Sequence, residues 1–204
     1  MFFLKKFLPF FSYLFHPIFI PIFGSFFYFI YNPTFLDLYQ KLFVLLQIAV
    51  LTIFIPICFF FILRFWGKID TIMVSDVAQR KTPLLFQLFL FLTLILRTVP
   101  ITFIPELYFF FLSGLISTAM AFLFLFLNIK ASIHMIGMIS LTFFVIGLSI
   151  HNQINAVFLI AILFFLTGLV GSSRLELKAH TIKELFFGFL LGIVPQVVLW
   201  FFWL

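Results

Sequence analysis

Val157-Phe158-Leu159-Ile160-Ala161-Ile162-Leu163-Phe164-Phe165-Leu166-Thr167-Gly168-Leu169 carries no charge and no alternation of apolar with polar side chains. A membrane barrel strand needs that alternation, because its two faces meet lipid and lumen, so the run argues against a barrel. A helix satisfies its backbone polar groups internally, as hydrocarbon demands, and about 18 apolar residues are enough to cross the core. Phe86 to Leu96 has the same character. Across the 204 residues, 65% are hydrophobic and 9% charged, more apolar surface than one small globule can bury. The sequence predicts an all-α, polytopic integral membrane helix bundle.

Breaks at polar, proline-rich and charged stretches place spans near 7–31, 43–66, 84–104, 107–127, 133–149, 155–171 and 185–203 in a single membrane domain, 1–204. Pro9, Pro17 and Pro21 are able to turn the first span into a re-entrant or interfacial segment, which would leave six. Lys5 and Lys6 precede an apolar stretch as in a signal peptide, but no small-residue cleavage site follows, so this segment reads as a retained span. Cys58 is alone and lies in an apolar run, where it reads as a lipid-facing or packing residue. The 38 phenylalanines are spread over all the spans, so only Trp66, Trp200 and Trp203 hint at interfacial belts.

The connections 67–83, 128–132 and 172–184 are two spans apart and emerge on one face. That face holds Lys68, Arg80, Lys81, Lys130, Arg174, Lys178 and Lys183, against Lys41 and Arg97 opposite; by the positive-inside rule it would be cytoplasmic, but basic residues kept for catalysis bias the same count, so the orientation stays open. The net charge of +6 suits anionic lipid headgroups better than nucleic acid, because the basic residues lie in loops and no basic domain exists outside the membrane. Lys5, Lys6, Lys41, Lys68, Lys178 and Lys183 read as headgroup anchors, and Arg97 as a snorkelling side chain. His16, beside Pro17 in an apolar run, has no partner visible in the sequence.

The segment Ser173-Arg174-Leu175-Glu176-Leu177-Lys178-Ala179-His180-Thr181-Ile182-Lys183-Glu184 carries the chemistry. On a helix, His180, Glu184, Gly188 and Gly192 form one stripe, about 6 Å apart in rise. A carboxylate one turn below a histidine accepts its ring N–H and leaves the other nitrogen free as nucleophile or base. The two glycines allow close approach of a neighbouring helix. Arg174 offers a planar fork suited to phosphate oxygens. Glu176 and Lys178 point away from the stripe and read as loop.

This segment resembles the last motif, S-R-x5-H-x3-D, of the type 2 phosphatidic acid phosphatase superfamily of membrane-integrated lipid phosphatases, with Glu184 in place of aspartate. The family's middle motif, P-S-G-H, corresponds to Ala131-Ser132-Ile133-His134, which keeps the serine and histidine. Its first motif, K-x6-R-P, is represented by Arg80-Lys81-Thr82-Pro83, with Met73 at the lysine position. The resemblance covers about residues 80–192. It implies a lipid-phosphatase-like core in which His180 attacks phosphorus to form a phosphohistidine, Glu184 orients it, and His134 protonates the leaving group. Arg174, Ser173, Ser132, Arg80 and Lys81 would bind the phosphoryl oxygens, with no cofactor and no metal. The implied substrate is a lipid-linked phosphate or diphosphate, and the implied setting a bacterial inner (cytoplasmic) membrane. A catalytically inactive relative, binding lipid or packing as a subunit of a membrane complex, is the alternative.

Overall fold

A computed structural model describes residues 2–69 and 77–204, and no strand occurs among them. Seven helical stretches are long and apolar enough to cross a membrane: Leu8–Tyr31, Leu38–Phe65, Gln79–Thr98, Pro105–Phe126, Ile133–His151, Val157–Glu176 and Ile182–Trp200. The protein is therefore an all-α polytopic bundle, as its composition demands.

The first stretch is two helices in series. Helix α1 (Phe2–Leu14) ends before His16, a tight 3-10 turn spans Pro17–Phe19, and α2 (Ile20–Tyr31) continues the crossing. Proline lacks the N–H that would extend α1, and it pushes the residue before it out of the helical region. His16 accordingly has φ −64 and ψ 140. Pro17 thus breaks the span, whereas Pro9 lies inside α1 and Pro21 in the first turn of α2, and the stretch is still long enough to cross.

The second stretch starts at α3 (Leu38–Ala49), closed by a capping box between Asp37 and Gln40, and passes through a wide π turn, Val50–Phe54, into α4 (Ile55–Phe65). Helix α5 (Val77–Thr93) also ends in a π turn, Leu94–Thr98, on which Arg97 is exposed at the far end. Helices α6 (Pro105–Phe126), α7 (Ile133–His151), α8 (Val157–Glu176) and α9 (Ile182–Trp200) complete the chain. Two boundaries differ from the sequence expectation. Arg80, Lys81 and Pro83 lie within α5, and Ser173 and Arg174 in the last turn of α8. Both sets remain on the expected face, as helix ends instead of loop.

Helix α7 is the most enclosed span and α3–α4 the least. The tightest seam joins α7 to α9. A Cβ on Gly188 would come within 2.6 Å of the Ser132 carbonyl oxygen, and one on Gly192 within 2.8 Å of that of Ile136. Small residues allow such backbone contact, and hydroxyls then bond across it. Across this seam Ser140 Oγ donates to the Gly192 carbonyl at 3.1 Å and Gln196 Nε2 to that of Ser140 at 3.2 Å, and on the neighbouring side of α9 Ser117 Oγ of α6 donates to the Leu191 carbonyl at 2.7 Å. Cys58 is exposed on α4. Trp203 is buried against Phe144 and His151, so it fills the bundle end and does not stand in an interfacial belt.

At the end of the bundle opposite the basic face, a buried carboxylate ties three helices together. Glu106, in the first turn of α6, accepts Tyr28 Oη at 3.0 Å and Asn32 Nδ2 at 2.9 Å from the end of α2, and lies 3.3 Å from His151 Nε2 at the end of α7. The helix N-terminus adds its own favourable field to the carboxylate. Glu106→Ala strands all three partners at once. We expect it to destabilise the bundle by about 3–5 kcal/mol. Thermal unfolding in detergent should show a markedly lower midpoint, with Lys183→Ala, on an exposed position, as the unaffected control.

Candidate functional site

Three helix ends and one turn deliver the polar side chains. Ser132 is the N-cap of α7, which sets His134 in its first turn. Helix α8 stops because Lys178 adopts φ 50, and the N–H groups of Lys178 and Ala179 satisfy the carbonyls of Leu175 and Arg174. The chain then reverses, so that His180 immediately precedes α9. Thr181 caps α9 through the Glu184 N–H, and Glu184 reaches back to the Thr181 N–H at 3.1 Å.

The same Glu184 oxygen, Oε2, accepts His180 Nδ1–H at 2.8 Å. His180 thus sits just outside the helix, not on it, and the capping box supplies the geometry that helical spacing alone would give. With Nδ1 protonated toward Glu184, Nε2 carries the lone pair. Burial is the largest influence on this imidazole and pulls its pKa down to about 4, aided by Arg80, Arg174 and Lys130 and opposed by the Glu184 bond. His180 is neutral at pH 7. Lys130, on the α6–α7 connection, has its Nζ 3.9 Å from Glu184 Oε2. Burial and then the nearby Arg80 push its pKa below the usual lysine range.

His134 takes the opposite tautomer. Its Nε2 lies 3.1 Å from the Ser12 carbonyl oxygen, which can only accept, so Nε2 carries the proton and Nδ1 is the exchangeable nitrogen. Backbone couples the two histidine motifs directly, since the Ser132 N–H donates to the Glu184 carbonyl at 3.1 Å.

A cavity of about 540 Å³ joins these groups. Arg80, His134, Arg174, His180 and His16 line its polar end, and Phe86, Phe91, Phe110 and Phe111 its apolar depth. Along α5, Arg80 and Phe91 are about 16 Å apart in rise, so the cavity reaches well into the membrane-spanning region. The chamber therefore pairs a cationic mouth with a hydrocarbon-like interior. It suits a ligand with an anionic head and an apolar tail.

The remaining residues expected from the sequence are placed differently. Lys81 Nζ lies over the Phe126 ring, 4.8 Å from its centroid, and Lys81 does not line the cavity. Ser173 Oγ is engaged with Ser12 Oγ at 2.6 Å. Ser132 Oγ is buried without a hydrogen-bond partner among the described residues. Met73 lies outside the described residues. Among those described, no group of three or more His, Cys, Asp or Glu side chains is arranged to hold a metal.

The first span supplies what sequence reasoning left out. Ser12, Tyr13 and His16 all line the cavity, and the His16 ring stands 5.2 Å from that of His134 at 85°. The available signal was a histidine next to a proline in an apolar run, which hydrocarbon does not tolerate without cause. No family model matches the chain, and no curated protein or solved structure matches it either.

Gly188 holds the two histidine motifs in contact, and its neighbour is backbone, which cannot swing aside. Gly188→Ala should cost about 1–3 kcal/mol through forced separation of α7 and α9. Gly168→Ala, where a Cβ meets nothing within 4 Å, should be neutral or slightly stabilising. Paired thermal unfolding curves in one detergent check both, and equal midpoints would remove the seam from the account.

Proposed function

We propose that the protein is a membrane lipid phosphatase that hydrolyses a lipid-linked phosphate or diphosphate through a phosphohistidine, as the sequence resemblance implies. The observation that carries this reading is the 2.8 Å bond from His180 to Glu184 at the mouth of an amphipathic cavity that His134, Arg174 and Arg80 also line. A neutral, oriented imidazole beside guanidinium groups has the composition that phosphoryl transfer uses, in which positioning and charge stabilisation do most of the work.

In the proposed reaction, the His180 Nε2 lone pair attacks phosphorus while the bond from phosphorus to the lipid oxygen breaks. The substrate binds as a phosphoryl monoanion, and His134, whose Nδ1 carries a lone pair, relays the P–OH proton through Nδ1 to that oxygen, releasing the lipid alcohol, or lipid phosphate from a diphosphate. Water then attacks the phosphohistidine and gives its proton to His134 Nδ1, which passes it to the departing phosphate. Inorganic phosphate leaves, and the electron pair returns to His180. Arg174 and Arg80 hold the non-bridging oxygens throughout, whereas Ser132, fully buried and outside the cavity lining, stands at the N-cap of α7. The apolar depth of the cavity supports a lipid substrate, because the chain exchanges bilayer for a phenylalanine-lined wall.

The inactive, lipid-binding reading draws support from Lys81 and Ser173, whose side chains are committed elsewhere. As to location, we propose a bacterial inner membrane with the site on the cytoplasmic face, supported by the basic excess there.

Phosphate release from a panel of lipid phosphates, by purified protein in detergent with chelator present, tests the reading. Wild type should turn over, while His180→Ala and Arg174→Ala should be inactive at normal yield. A wild type that releases nothing from any substrate would favour the binding role.

The acid limb adds a second check. An imidazole with the ordinary pKa of 6.5 is about 10% unprotonated at pH 5.5, whereas one near 4 is almost wholly so. The rate of enzyme phosphorylation should therefore hold to pH 5 and fall only as pH approaches 4. A fall centred near 6.5 would remove His180 as the nucleophile.

A further inference from the structure

The resemblance covers about residues 80–192 and gives the first span no part in the chemistry. That span nevertheless closes the site. The Ser12 carbonyl fixes the His134 tautomer, Ser12 Oγ holds Ser173, and the break after Leu14 turns His16 into the cavity wall.

His16 is anchored by its own backbone. Its Nδ1 accepts the Ile18 N–H at 3.4 Å, as the N-cap of the turn Pro17–Phe19. That bond leaves the proton on Nε2, the nitrogen on the far side of the ring from the anchoring backbone. The ring is half-buried, lines the cavity with Arg174 and His180, and stands nearly perpendicular to His134. A half-buried donor that lines one cavity with two guanidinium groups fits an anionic acceptor and no cationic one. A histidine retained in an apolar helix at a proline break is better explained by such a contact than by packing, for which phenylalanine would serve.

We propose that His16 is a substrate-binding residue of this site, donating Nε2–H to a phosphoryl oxygen of the bound lipid beside His134. The assignment rests on the lipid-phosphate reading above for the identity of the ligand. His16 makes and breaks no covalent bond in this role. It makes the broken first span the fourth wall of the phosphate site, with α5, α7 and the α8–α9 turn as the other three.

The test compares wild type, His16→Phe and His16→Gln for binding of a non-hydrolysable alkyl phosphonate in detergent, with KM and kcat measured on whichever lipid phosphate wild type hydrolyses. Phenylalanine keeps a ring against His134 and removes the donor, while glutamine keeps a donor. Losing one hydrogen bond to a charged oxygen should weaken phosphonate binding about tenfold in His16→Phe and raise KM in parallel, with kcat little changed. His16→Gln should recover most of that loss. Unaltered thermal midpoints identify variants that are correctly folded. Should His16→Phe bind as wild type does, or lose kcat at unchanged KM, His16 is a packing or proton-transfer residue and the assignment fails alone. Should wild type neither bind the phosphonate nor hydrolyse any lipid phosphate, the phosphatase reading fails and takes His16 with it.

Discussion

Backbone lies against backbone where α9 crosses α7, and the spacing of the candidate site is inherited from that contact. Gly188 and Gly192 have nothing beyond Cα to hold the helices apart, so the Ser132 N–H reaches the Glu184 carbonyl. Inside a bilayer, apolar side chains gain little by leaving lipid for protein, so close packing and hydrogen bonding must hold helices together. The bonds from Ser140 to the Gly192 carbonyl and from Gln196 to the Ser140 carbonyl along this seam, with that from Ser117 of α6 to Leu191 of α9 beside it, supply that cohesion. A chain this rich in phenylalanine is thus organised by its glycines and serines.

Polar side chains gather at the two ends of the bundle, and the two sets have different characters. At one end Glu106 is satisfied by Tyr28, Asn32 and His151, with donors and acceptor in near balance. Such a closed set stabilises a fold and asks for no ligand. At the other end Arg80 and Arg174 line the cavity and no carboxylate does among the described residues, while Glu184 beside it has its Oε2 committed to His180 and Thr181. Cationic charge exceeds anionic charge around a cavity, which is the condition for binding an anion. The contrast between a balanced end and an unbalanced one separates structure from function here more clearly than residue type does, because both ends contain a histidine and a glutamate.

Fold class was legible because hydrophobicity at this density leaves one solvent and one backbone solution, and runs such as Val157 to Leu169 state it directly. The bond between His180 and Glu184 was legible because both residues lie within one local motif. Local reading also explains its own error: helical spacing and a capping box both bring residues four apart together, and sequence cannot tell which does so. Span ends were placed several residues short at Arg80 and Arg174, since charge marks a membrane boundary while the helix continues past it to keep its carbonyls satisfied. The role of Glu106 went unread because its partners are 74 and 78 residues away in α2, a distance no periodicity reports. His16 was hidden for the same reason.

Breaking the first span resolves a conflict between two demands on it. A continuous helix would cross the bilayer most simply, but it would keep its backbone polar groups to itself and present only side chains to the site. Pro17 interrupts that ladder near the level of His134, and the freed backbone is used at once: the Ile18 N–H holds His16, while the Ser12 carbonyl, one turn earlier, holds His134. Non-helical backbone at membrane depth is tolerated where protein or a polar cavity satisfies it, and here both do. The proline that made this segment doubtful as a span is therefore what turns it toward the cavity. Pro17, followed by Pro21 in the first turn of α2, is better understood as the means of placing a polar turn than as a defect in a membrane helix, while Pro9 is accommodated within α1.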